Sequence, residues 1–215
     1  MDTEGEALAD VAYGLFEVFL NTELRKQGHS LFELIEANTE FSGRFSDIFA
    51  SFAVDYPFLA SALTEEYGSE TGVYALFSEG EGVIPTQTTK IYWILSDAPG
   101  YDPGCADAEK AGKWLIFLEP DQTDELWKKI RNATAAGELG ISTKVSTAKQ
   151  SPESRDERMV IYVYTSDWED EEDVMRIREV LRTLGVTDRI GYKRNIETFQ
   201  GEYSEKGKKV TYYTA

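Results

Sequence analysis

The sequence predicts an α+β fold, and three observations carry that prediction. The run from Gly112 to Tyr192 orders strand, helix, strand, strand, helix and strand signals one after another. The residues before it show apolar side chains at helical spacing. The charge is divided the same way: of a net −17, residues 1–90 hold 16 acidic and 4 basic side chains, and residues 91–215 hold 23 and 18. The expected organisation is therefore an acidic helical N-terminal region, 1–90, followed by an α+β domain, 91–215. At 215 residues the chain is long enough for one good core plus a helical extension.

Leu8, Val11, Ala12, Leu15, Phe16, Phe19 and Leu20 recur at helical spacing, with Asp10 and Glu17 on another face, so residues 5–20 read as an amphipathic helix. Ser30 is placed as an N-cap, and Glu33 completes a capping box before Leu31, Leu34 and Ile35. Phe41, Phe45, Ile48, Phe49 and Phe52 predict a helix ending before Pro57, and Leu59 to Tyr67 another. The aromatic stripe from Phe41 to Phe58 has the spacing of core. Gly68, Gly72, Gly80, Gly82 and Pro85 then mark loop, with one strand expected at Val73 to Phe77.

Ile91 to Leu95 suits a strand, and the long loop SDAPGYDPGCADAEKAG follows it. Lys113 to Leu118 is the next strand. Pro120 and Asp121 open a helix carrying Leu126, Trp127, Ile130 and Ala133, closed by Gly137. In the strand Ile141 to Thr147, alternation separates Ile141, Thr143, Val145 and Thr147 from Ser142, Lys144 and Ser146. AKQSPESRDER is a polar connection, and Met159 to Thr165 is rich in β-formers. The acidic run EDEED suits the first turn of a helix whose buried stripe is Val174, Ile177, Val180, Leu181 and Leu184, with Gly185 at its C-terminus. Arg189 to Lys193 and Lys208 to Thr214 are the last strands.

So negative a surface repels nucleic-acid backbone, which sets aside nonspecific nucleic-acid binding. One cysteine, Cys105, and one histidine, His29, give no disulfide framework and no structural zinc cluster. Residues 1–20 have neither the basic start nor the unbroken apolar core of a signal peptide or membrane span, so a cytoplasmic protein without membrane attachment is expected. Walker, dinucleotide, nucleophile-elbow and zinc-protease motifs do not occur. Glu65 with Glu66, and Glu169 to Asp173, read as solvated helix ends. No cofactor and no metal are expected.

GKWLIFL, the Trp127 helix, VYTSDWEDEEDV, the LG helix end and the GYK strand resemble the basophilic-leukaemia-expressed protein family, whose fold is similar to that of the cap-binding translation initiation factor 4E family. The resemblance covers about residues 91–205. It implies a curved antiparallel β-sheet backed by helices. In those factors two tryptophans sandwich a methylated guanine. The loop that carries one of them has Tyr101 and Asp102 here, and the phosphate-binding arginine aligns with Ser146, with Lys144 on the same strand face. Trp114 and Trp127 match structural positions. LGISTKVST also resembles the strand of phosphothreonine lyases that supplies a lysine base, which places Lys144 there; the acid position reads Lys113, Trp114, Leu115 and holds no histidine.

These readings imply a binding module whose concave sheet face is lined by Lys113, Lys144 and Lys193 with Tyr162, Tyr164 and Tyr192, and by Tyr101 and Asp102 from the loop. Its ligand is an anionic small molecule, a nucleotide or a phosphorylated peptide. Two other readings stand beside it: a lyase-like enzyme using Lys144 as base, and an interaction scaffold whose N-terminal helices dock a protein partner.

Overall fold

In the computed structural model, residues 3–104, 107–149, 158–199 and 211–215 are described, and the side chains of 3–6, 198 and 199 are not. Cys105 and Lys208 to Val210 lie outside the described residues, as does most of the AKQSPESRDER tract. The chain forms two compact units, residues 1–92 with 147–150 and residues 93–146 with 151–215.

The first unit is helical: α1 Thr3–Lys26, α2 Leu31–Glu36, α3 Ser42–Asp55, α4 Pro57–Glu66 and α5 Glu70–Ser78, then a 3-10 turn at Pro85–Gln87. Its centre is Phe16 of α1, whose ring meets Phe45, Phe49, Phe52 and Phe77 at centroid separations of 5.5, 5.2, 5.0 and 5.8 Å. These edge-on contacts match the quadrupole preference of aromatic pairs. The aromatic stripe of α3 is core, as its spacing requires, except that Phe58 on α4 is 85 % exposed.

Three expectations are corrected here. Leu8, Val11 and Leu15 of α1 are exposed, and the inward arc is Ala9, Ala12, Tyr13, Phe16, Leu20 and Leu24. The wide apolar arc of this helix offered two stripes, and only the packing partner chooses between them. Val73 to Phe77 is helix, not strand: Ser69 Oγ accepts the Gly72 amide at 3.1 Å, and Val73 and Phe77 fall one turn apart, both fully buried. A five-residue apolar run fits either period. Ser30 caps α2 by position, but its hydroxyl makes no capping bond, so no capping box forms.

After α5 the chain is held by a buried carboxylate. Glu81 accepts the amides of Thr89 and Lys90 at 2.9 and 2.8 Å. Residues 147–149 return to this unit: the Ala148 amide donates to the Pro85 carbonyl at 3.0 Å, and Lys149 pairs with Asp10 at 3.2 Å.

The second unit is an open, curved six-stranded antiparallel sheet, ordered β1-β3-β4-β2-β5-β6, with helices behind it. Its elements in chain order are β1 Trp93–Asp97, β2 Gly112–Leu118, α6 Pro120–Ala135, β3 Ser142–Ser146, β4 Met159–Thr165, α7 Glu171–Thr183, β5 Gly191–Arg194, α8 Asn195–Phe199 and β6 Tyr213–Thr214. The buried stripes are Trp127, Ile130 and Ala133 on α6 and Val174, Ile177 and Leu181 on α7. Val180 and Leu184 of the expected α7 stripe stay partly open. The sheet answers with Ile94, Trp114, Ile116, Val145, Ile161 and Val163. The indole of Trp114 donates to the Val174 carbonyl at 3.1 Å, fixing α7 against β2.

Asp170 caps α7 by accepting the Asp173 amide at 3.1 Å, and Glu171, Glu172 and Asp173 complement the dipole of its first turn. Inside α7, Arg178 is fully buried and donates to the carbonyls of Val186, Asp188 and Ala215 at 2.8, 2.7 and 3.2 Å. One guanidinium thus closes the turn after α7.

Candidate functional site

Side chains alternate across a strand, and residues opposite one another in an antiparallel pair share a face. The register therefore fixes which groups meet. Lys113 stands opposite Tyr164 on β4 and Lys193 on β5. Lys144 on β3 stands opposite Tyr162 on β4 and Leu95 on β1, and Trp93 stands opposite Ser146. Lys113, Lys144, Lys193, Tyr162, Tyr164 and Trp93 consequently share the face opposite the helices.

Tyr192 does not join them, which corrects its expected place. It pairs with Trp114, lies at 0 % exposure on the helix side, and shares a 2.6 Å hydrogen bond with the Thr165 hydroxyl. Its hydroxyl would sit 2.0 Å from a Cβ at Gly112, so only glycine lets the ring lie there. Tyr192 and Lys193 are consecutive on β5, Gly191–Arg194, so alternation sends them to opposite faces of the sheet.

The lysine ammonium groups rest on aromatic faces. Lys144 Nζ is 4.1 Å from the Trp93 ring centroid, 5.3 Å from Tyr162 and 6.0 Å from Tyr164. Lys113 Nζ is 5.4 Å from both tyrosine rings and donates to Asn195 Oδ1 at 3.0 Å. Trp93 stacks on Tyr162 with centroids 5.3 Å apart and planes 28° apart. Each such cation–π contact is worth about 0.5–1 kcal/mol when exposed and more when water is excluded.

Burial pushes Lys113 down to about 8, and the charges of Lys144 and Lys193 add to the effect. Burial also lowers Lys144. Tyr164 is held protonated well above the ordinary phenol range by burial, with Tyr162 and Tyr101 contributing. The face therefore presents cations and hydroxyl donors to whatever approaches it. The Lys144 ammonium makes no hydrogen bond or ion pair among the described residues.

Tyr101 and Asp102 belong to the β1–β2 connection, where a cavity of about 400 Å³ is lined by both of them with Pro99, Asp107, Ile141 and Ser166. Tyr101 is raised by burial, then by Asp97 and Asp102. The Asp102 carboxylate accepts the Gly104 amide at 2.9 Å and so shapes the loop. At the neighbouring strand end, Ser142 Oγ donates to Asp97 at 2.8 Å.

The sequence missed two residues of the site. Trp93 was legible, because Trp93, Leu95 and Asp97 alternate on one face of β1. Asn195 had no signal, since its amide meets Lys113 only after β5 pairs with β2. Trp114 and Trp127 are core, 0 % and 1 % exposed. His29 lies in the turn after α1 of the first unit. Among the described residues, His, Cys, Asp and Glu side chains nowhere gather in threes as a metal site requires, and no helix is long and apolar enough to cross a membrane.

Among solved structures, the chain is similar to C. elegans eIF4E-3 in its complex with the 4E-binding protein Mextli and a cap analog, at 16% identity over 57% of this chain and 68% of that one, with a TM-score of 0.42. It is similar to a schistosome eIF4E complexed with m7GpppA and 4E-BP, at 16% identity over 51% and 62% of the two chains, TM-score 0.39. Ascaris suum eIF4E-3 with an m2,2,7G cap matches at 20% identity over 47% and 61%, TM-score 0.36. This chain thus spans about three fifths to two thirds of those proteins. The resemblance read from GKWLIFL through the GYK strand is met in sequence, since residues 106–199 match the family model described as basophilic leukemia-expressed protein Bles03.

Proposed function

We propose that the second unit is a binding module that receives an anionic group, such as a phosphorylated small molecule, a nucleotide or a phosphopeptide, on the open face of its sheet. The observation that carries the reading is Lys144. Its ammonium lies 4.1 Å from the Trp93 ring, partly desolvated and without an anionic partner among the described residues, on the same face as Lys113 and Lys193. A cation held this way has lost hydration and gained only ring faces, so an incoming anion finds it ready to pair. The aromatic wall of Trp93, Tyr162 and Tyr164 offers stacking area to a planar ligand beside the charge.

The test is tryptophan fluorescence and thermal stability against nucleotides, cap analogues and phosphopeptides, with Lys144→Ala as the control. A charged hydrogen bond is worth about 1.5–3 kcal/mol, so the variant is expected to weaken binding roughly ten- to hundredfold. Saturable binding that survives Lys144→Ala unchanged would place the ligand elsewhere. No response to any anion would leave an interaction scaffold as the better reading.

A further inference from the structure

We propose that Lys113 is a nucleophilic amine that condenses with the carbonyl carbon of an anionic aldehyde or keto acid bound on the open sheet face, forming an imine. The inference rests on the anion-binding reading and deepens it, naming a substrate class for the same site.

The argument begins with place. Lys113 lies on β2, which is paired on both sides, by β4 and by β5. Its backbone is thus fixed at the middle of the sheet, and the residue keeps 7 % of its surface open. The ammonium cannot swing away into water as a surface lysine does. It donates to Asn195 Oδ1 at 3.0 Å and lies 5.4 Å from the Tyr162 and Tyr164 centroids.

Next comes charge. Lys193 stands directly across the strand pair, and Lys144 approaches the same two tyrosines. Crowding by like charges and loss of water are the two conditions that turn a lysine into a nucleophile. With Lys113 brought down to about 8, roughly a tenth of it is neutral amine at pH 7, against under a thousandth for an ordinary lysine. Lys144 and Lys193 supply positive charge for the carboxylate or phosphate of the ligand. Lys26, Lys110 and Lys149 are set differently, paired with Glu23, Asp167 and Asp10.

The chemistry balances without an oxidant or reductant. The lone pair of the neutral amine attacks the carbonyl carbon, the C–N bond forms, and the oxygen takes up a proton to give a carbinolamine. The C–O bond then breaks, the hydroxyl leaves as water after gaining a proton, and nitrogen gives up its own two protons in the course of the exchange. The sum is amine plus carbonyl yielding imine plus water. The Tyr164 phenol, kept protonated by burial, is a proton source on the same face.

The experiment uses the full chain at pH 7 with glyoxylate, the smallest anionic aldehyde, and cyanoborohydride to trap the imine, followed by peptide mass mapping. Propionaldehyde is the neutral control and inorganic phosphate the competitor, with phosphate binding measured separately by calorimetry. The expected result is labelling of Lys113 at least about tenfold faster than the average of the other lysines, given its larger neutral fraction. Glyoxylate should be preferred over propionaldehyde, phosphate should suppress the adduct, and Lys113→Arg should abolish it. Lys144→Gln should slow labelling at Lys113 without moving it, a check that does not depend on the Lys113 variant folding. Adducts spread evenly over the lysines while phosphate still binds would overturn the imine and leave the anion site standing. If phosphate neither binds nor competes, and propionaldehyde labels Lys113 as fast as glyoxylate, both readings fall.

Discussion

Replacing Lys113 by methionine should stabilise the second unit at neutral pH while removing part of the proposed ligand site. Burial holds Lys113 at about 8, against the ordinary 10.5 of an unperturbed lysine. At about 1.4 kcal/mol per pKa unit, that shift sets an upper bound of about 3 kcal/mol on the cost of keeping it charged below pH 8. Residual solvent screening reduces the figure to about 1–2 kcal/mol. Methionine, similar in length and without charge, removes this cost. It also gives up the bond to Asn195 and the ring contacts, about 0.5–1.5 kcal/mol for the hydrogen bond. The net expectation is a gain of up to about 1 kcal/mol, or about 2–4 °C in melting temperature for a chain of this size.

The sign of the pH dependence makes the test strict. A lysine whose folded pKa is lowered holds fewer protons folded than unfolded between the two values, so the Lys113 contribution to stability rises with pH from about 8 to about 10.5, while the raised phenols of Tyr164 and Tyr192 act in the opposite direction near pH 10 and do so equally in wild type and variant. In Lys113→Met this rise disappears, and the two proteins converge toward the top of the window. Trp93, Trp114, Trp127 and Trp168 all lie in the second unit, so fluorescence-monitored urea unfolding follows that unit alone. A variant less stable than wild type by more than about 1 kcal/mol at pH 7, or a stability difference between the two proteins that stays constant between pH 8 and 10, would refute the reasoning.

Other outcomes follow from the same contacts. Phe16→Ala empties the centre of five rings and should cost about 3–5 kcal/mol, read by far-ultraviolet circular dichroism because the first unit holds no tryptophan. Glu17 is raised to about 7 by burial, with Arg25 opposing, so the first unit should lose stability as pH climbs from about 4.5 through 7. Glu17→Gln should flatten that slope while keeping an oxygen for the Asn21 amide, now at 2.7 Å, and a slope unchanged in the variant would show another group at work. Arg178→Ala strands the carbonyls of Val186 and Asp188 and should cost about 3–5 kcal/mol in urea unfolding, whereas a loss below about 1 kcal/mol would mean that water reaches them.

The fold was legible where a period or a cap was strong. The Asp170 cap with its acidic first turn, the β-rich run at Met159 to Thr165 and Pro120 at the head of α6 each carry their own local physics. Where two stripes or two periods fit the same letters, the deciding information was nonlocal. Leu8, Val11 and Leu15 are as apolar as Ala12, Phe16 and Leu20, and only the phenylalanines of α3 and α5 select the second set. The segment from Val73 to Phe77 became helix because Ser69 caps it. In the candidate site, the register puts the three lysines, Tyr162 and Tyr164 on one face, and alternation along β5 puts Tyr192, next to Lys193, on the other.

What the sequence could not state is the cost of bringing the three lysines together. A chain with net charge −17 has abundant carboxylates to place near a cation. Lys110, Lys149, Arg176 and Arg182 each have one. Lys144 has rings instead, and the ionised state of Lys113 is opposed by two more cations. A purely structural sheet face gains nothing from that arrangement, since apolar residues of the same volume would pack there without desolvating a charge. The arrangement lowers stability where binding would recover it, and an anion that docks raises the melting temperature in proportion to the logarithm of its concentration above Kd. Lys113→Met is thus expected to gain stability and Lys144→Ala to weaken the proposed anion binding, two changes in opposite directions.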